Sequence, residues 1–134
     1  MSDLSTLRSE TYINLQTFRK NGQGVPTPVW FVEENGVLYV RTLARSGKVK
    51  RVRNNPHVRV AACDARGNLK GTWLEARALL ADETEAAHAN DLLNRKYGLM
   101  KRAFDLMGLI RKESYAVIKI MPATDSSPST AQKP

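Results

Sequence analysis

The pair Asn-Gly occurs twice within the first 36 residues, at Asn21-Gly22 and Asn35-Gly36, and both pairs lie between runs rich in β-branched and aromatic residues. Asn and Gly accept the positive φ that a tight hairpin turn needs, so each pair commits its flanks to antiparallel strands. The flanks are "YINLQTF" (Tyr12 to Phe18), "TPVWFVE" (Thr27 to Glu33) and "VLYVRT" (Val37 to Thr42), which predict three antiparallel strands in a meander. Pro26 and Pro28 have no N–H to give a ladder, which restricts them to a strand's start, an edge or a bulge and predicts regular pairing only from Val29 onward.

Downstream, Ser46 is a good helix N-cap, and "GKVKRVRNN" makes about two helical turns before Pro56 disfavours helix at Asn55. A fourth strand is expected over His57 to Asp64, a Gly-containing turn at Ala65 to Asn68, and a long fifth strand over Gly71 to Ala81. Asp82 followed by Glu85 opens a helix that Gly98 is placed to interrupt. A second helical piece, Leu99 to Ile110, precedes a last strand, Ser114 to Met121; a short helix is also expected from Asp3 to about Ser9. From Pro122 on there is no large apolar residue, which predicts a disordered tail over 122–134 behind a single domain spanning 1–121. A chain of 134 residues, 42% hydrophobic and 25% charged, suffices for one packed core. Six short strands with helices too few for βαβ units predict a mainly β fold, an antiparallel barrel with peripheral helices.

The lone Cys63 excludes an internal disulfide and a multi-cysteine metal site, while His57 and His88 are far apart, so no metal is expected. The N-terminus has neither a basic start nor an apolar run, and no segment nears ~18 continuous apolar residues. A cytoplasmic protein with no membrane partner is the expectation.

Twenty-one Lys and Arg against 13 Asp and Glu give a net charge of +8, which predicts an anionic partner. Five of the cations fall between Arg45 and Arg53 with no acid among them. A helix N-terminus offers unpaired N–H groups and partial positive charge, and Lys48, Lys50 and Arg51 add full charges beside it, which suits a phosphate. A solvated charged face is the plainer reading. Nucleic acid is the weaker contender, because few aromatic residues accompany the run and no helix-turn-helix, zinc-finger or RNP-like motif is present. Trp30 is either core or one wall of a planar ligand's pocket, with core the default; Trp73 has the same default, and Tyr97 is expected to pack its helix against the barrel. Cys63, inside an apolar strand, reads as structural. Glu33 and Glu34 flank a turn, Glu83 and Glu85 favour a helix start, and no catalytic acid, base or nucleophile is nominated. If the chain is an enzyme, the reactive atom belongs to a cofactor.

In order along the chain stand T-x-R (Thr17, Arg19), P-T-P-V-W, R-T (Arg41, Thr42), S-G-K-V-K-R-x-R-x-N-P and C-D-A-R-G, followed by "NRKYGL". Together these resemble the split-barrel flavin and deazaflavin reductases related to pyridoxamine 5'-phosphate oxidase, over about Tyr12 to Met121. The short F420-dependent oxidoreductase subgroup is the nearest in character. The resemblance implies a six-stranded split β-barrel of the FMN-binding type, a homodimer holding cofactor in grooves at the subunit interface, and a small-molecule substrate. It assigns the cofactor phosphate to Ser46, Lys48, Lys50 and Arg51, and the border of the tricyclic ring to Pro28, Val29, Trp30, Arg41 and Thr42. Coenzyme F420 is the first choice of cofactor and FMN the alternative. The expected activity is hydride transfer between reduced F420 and an unsaturated substrate; the alternative is an FMN-binding reductase or oxidase of the same fold, ahead of a nucleic-acid-binding barrel or a flavin carrier without turnover. Nothing in "PATDSSPSTAQKP" matches the substrate-binding C-terminal segment of a true pyridoxamine-phosphate oxidase.

Overall fold

A computed structural model describes residues 4–104 and 114–123. Leu4–Leu7 form one 3-10 turn in place of the expected N-terminal helix, with Leu4 and Leu7 buried. The strands are β1 (Tyr12–Phe18), β2 (Gly24–Val29), β3 (Val32–Glu34), β4 (Val37–Leu43), β5 (His57–Cys63), β6 (Leu74–Leu80) and β7 (Tyr115–Pro122). The helices are α1 (Gly47–Asn54) and α2 (Glu83–Phe104). All seven strands join one antiparallel sheet in the order β2-β1-β5-β6-β7-β4-β3.

The described strands number seven where six were expected, because "TPVWFVE" is two strands. β2 pairs with β1 in the register Ile13↔Val29, whereas β3 pairs with β4 in the register Val32↔Tyr39. The chain therefore changes partners at Trp30-Phe31, and the expected three-stranded meander does not form. The cause is the Tyr97 hydroxyl, which accepts the Phe31 N–H at 3.1 Å and lies 2.8 Å from the carbonyl oxygens of both Phe31 and Thr11, to one of which it donates. Backbone groups that a neighbouring strand would have bonded are bonded by a side chain instead. β2 and β3 are opposite edges of the sheet yet adjacent in sequence, so the sheet must curl until its edges meet. That makes it a split barrel.

The prolines fit the edge position, since β2 pairs on one side only. Pairing runs over Gly24–Val29 and ends where it was expected to begin: Pro26 and Pro28 are two residues apart, so both nitrogens face the same way, and an edge strand has a side on which no N–H is needed. The second turn forms as read: Asn35 (φ 54°) and Gly36 (φ 80°) both take the left-handed conformation.

Side chains alternate between two cores, as strand periodicity requires. The barrel interior holds Ile13, Leu15, Phe31, Leu38, Val40, Val58, Val60, Ile118 and Ile120. A second layer outside the barrel packs Ala89, Leu93 and Tyr97 of α2 on Val32, Tyr39 and Val117. α2 begins as its sequence dictates, the Glu85 N–H donating to Asp82 Oδ1 at 2.8 Å. Glu85 itself pairs with Lys119 at 2.6 Å. The helix breaks at Tyr97 (φ −115°, ψ 15°), one residue before Gly98. The second half of the expected second helical piece, 105–110, and the tail from residue 124 lie outside the described residues.

Candidate functional site

Two groups of side chains stand out, on different sides of β4. The first gathers at the start of α1. Ser46 is the N-cap, its Oγ accepting the Val49 N–H at 3.4 Å and lying 3.4 Å from the Thr42 hydroxyl, which donates to it. Lys48 and Arg51 are three residues apart and share a helix face. Arg51 folds back over the first turn so closely that a Cβ at Gly47 would lie 2.6 Å from Arg51 Nη1. Its Nε donates to Oγ1 of the fully buried Thr17 at 2.6 Å, which ties α1 to β1. Partial burial, and then Arg51, hold the Lys48 ammonium below its ordinary pKa; burial, and then Arg19, do the same to Arg51. Among the described residues no carboxylate contributes to either group. Cations crowded together, half out of water and beside a helix N-terminus, form a place that an anion stabilises.

The second group is a pocket of about 130 Å³ between α2 and the barrel, lined by Trp30, Arg41, Leu93, Tyr97 and Tyr115. Trp30 stacks on Tyr97 with ring centroids 4.6 Å apart and planes 5° from parallel. The Arg41 guanidinium carbon lies 3.9 Å above the centre of the Tyr115 ring. Tyr97 is buried, and desolvation raises its phenol pKa to about 12, so the hydroxyl that bonds Phe31 stays protonated.

Among the residues expected at a site, Trp30 and Arg41 share this pocket, while Thr42 meets Ser46. Consecutive residues of a strand face opposite ways, which is why Arg41 and Thr42 serve different groups. Lys48 and Arg51 meet near Thr17, but Lys50 is exposed and, two residues from Lys48, projects from another side of the helix. Pro28 packs near Gly67, and Val29 packs against the barrel interior; neither lines the pocket. Sequence reasoning missed Leu93 and Tyr115 and gave Tyr97 a packing role alone. Thr17 and Arg19 stood in the T-x-R spacing, whose function is visible only once Arg51 reaches Thr17. Cys63 is buried, and burial raises its pKa, which suits a structural thiol. Among the described residues no three His, Cys, Asp or Glu side chains are grouped as metal ligands, and no helix is long and apolar enough to cross a membrane.

The curled antiparallel sheet with helices outside it defines a split-barrel protein. The sequence model of the pyridoxamine 5'-phosphate oxidase family matches residues 4–124, and the chain belongs to that family, which generally binds flavin. Solved structures repeat the fold at low identity. General stress protein 26 of Bacillus anthracis is 23% identical, with 90% of this chain and 86% of that one covered and a TM-score of 0.63. The heme storage protein HutZ of Vibrio cholerae is 14% identical, with 87% and 84% covered and a TM-score of 0.65. An F420 reductase is 22% identical, with 92% and 96% covered and a TM-score of 0.57. No curated protein matches the chain in sequence.

Proposed function

We propose that the protein is an oxidoreductase that transfers a hydride between reduced coenzyme F420 and an unsaturated small-molecule substrate. One observation carries the reading: Lys48 and Arg51 are partly withdrawn from water in the first turns of α1, and no carboxylate among the described residues neutralises them. The residues fit the anionic tail of such a cofactor. Ser46 and the first N–H groups of α1 offer donors, Lys48 and Arg51 offer charge, Thr17 holds Arg51 in place, and exposed Lys50 adds long-range attraction. Pro28, Val29, Trp30, Arg41 and Thr42 border the ring, Pro28 and Val29 through backbone. When bound, the deazaflavin supplies a hydride at C5; the chain orients it, excludes water and supplies positive charge beside the reacting centre. A second copy of the chain completes the groove in this reading. FMN is the second reading, favoured by family membership, since one terminal phosphate needs fewer cations than the cluster offers.

The test is a parallel titration of cofactor-stripped protein with F420 and FMN at physiological salt, followed by absorbance. Tighter F420 binding supports the deazaflavin reductase, and tighter FMN binding moves the chemistry to a flavin. If neither binds to folded protein, the cofactor reading fails and nucleic acid is the next ligand to try.

A further inference from the structure

We infer that the pocket under Trp30 and Tyr115 binds a planar, conjugated carboxylate, the substrate in the reading above. Size comes first. At about 130 Å³ the pocket is well below the roughly 300–1,000 Å³ of sites that enclose cofactor-sized ligands, and it suits a single ring or a short conjugated chain. Shape comes second, because three of the five lining residues are aromatic, Trp30, Tyr97 and Tyr115, and Leu93 adds a fourth apolar side chain, which favours a flat, unsaturated guest.

Charge decides the class of guest. Arg41 is exposed, and its recorded partner among the described residues is the face of Tyr115. That contact holds the guanidinium over the ring without using an N–H on an oxygen acceptor, and two of its N–H groups can then bind a carboxylate in two parallel bonds. The described acids of β3 and β6 are committed elsewhere, as is Glu85 of α2. Glu33 binds Arg8 and the Gly36 N–H, Glu34 binds His88, Glu85 binds Lys119, and Glu75 binds His57 and Arg59. The pocket thus joins an apolar, aromatic floor to one oriented cation at the rim. The role of this guest as substrate rests on the oxidoreductase reading; its binding does not.

The probe pair is cinnamate and cinnamamide, equal in shape and differing in charge, titrated calorimetrically into the protein with and without F420 or FMN. Cinnamate is expected to bind at least about tenfold more tightly than the amide, and Arg41→Met is expected to abolish that preference while Arg41→Lys keeps part of it. Circular dichroism shows whether each variant is folded, and the exposed position of Arg41 makes it tolerant of the change. Equal affinity for acid and amide, binding of neither in any of these states, or an undiminished preference in Arg41→Met overturns the inference. Cinnamate binding without F420 or FMN binding defeats the cofactor reading alone; cofactor binding without cinnamate binding defeats the pocket assignment alone.

Discussion

Replacing Tyr97 with Phe removes one oxygen from the place where the sheet changes partners. The stack on Trp30 survives, since the rings keep their 4.6 Å spacing, but the buried Phe31 N–H loses its acceptor and one of two carbonyls loses its donor. Phe31 is fully buried, so water does not readily take over. Each buried polar group left without a partner costs about 1–3 kcal/mol, which for two groups puts the variant about 2–6 kcal/mol below the parent. A domain of this size has roughly 5–15 kcal/mol of stability to lose, and the midpoint of thermal unfolding should fall by roughly 10 °C. Urea unfolding followed by far-ultraviolet circular dichroism measures the difference without relying on tryptophan emission. The effect also has a pH signature. Because the folded protein holds the phenol proton until about pH 12 and the unfolded chain only to about 10, the hydroxyl's contribution is whole below pH 10 and is lost as pH rises toward 12. The gap between parent and variant should therefore narrow over that interval. A loss under about 0.5 kcal/mol at neutral pH, or a gap that does not change above pH 10, would refute the claim that this hydroxyl secures the junction.

Other expectations concern the two charged regions. Lys48→Ala should weaken cofactor binding about tenfold or more, each charge-assisted bond being worth roughly 1.5–3 kcal/mol; an unchanged titration removes Lys48 from the site. Gly47→Ala puts a methyl where Arg51 now lies, so the guanidinium must swing away from Thr17; cofactor affinity should fall several-fold with the fold intact, as calorimetry and circular dichroism together can show. Lys96 lies 3.7 Å over the Phe31 ring, and desolvation lowers its pKa from 10.5 to about 8, a penalty that its partial exposure and the ring contact both reduce. Lys96→Met should stabilise the protein by about 1–2 kcal/mol at neutral pH. The folded state releases this proton first, so the penalty is whole below pH 8 and relieved as pH rises to 10.5, where the two proteins should unfold alike.

Local chemistry made much of the fold legible. Asn35-Gly36, the Ser46 cap and the Asp82 cap each act within four residues, and each formed as read. Val29-Trp30-Phe31-Val32 gave no such warning, because an unbroken apolar run is what a continuous strand looks like. The group that divides it, the Tyr97 hydroxyl, is 66 residues away. The pocket was half legible for the same reason: Trp30 and Arg41 belong to motifs along the chain, but Leu93 joins them only through the docking of α2 on the sheet and Tyr115 only through the pairing of β7 with β4. Lys48 and Lys50 read as equivalent cations until helical geometry set them on different faces.

The partner change at Trp30-Phe31 also predicts an order of folding events. The β1–β2 and β3–β4 hairpins are local and need no other part of the chain, whereas β4 meets β7 through pairs such as Leu38↔Ile120, distant in sequence. Two ready-made hairpins on a two-residue tether are brought to opposite ends of one sheet, and the tether is latched only when Tyr97 arrives with α2. Since Trp30 and Tyr97 are also walls of the pocket, no guest is recognised before the latch closes. A ligand held there counts as one more fastening of the barrel, and its concentration sets how seldom the latch opens.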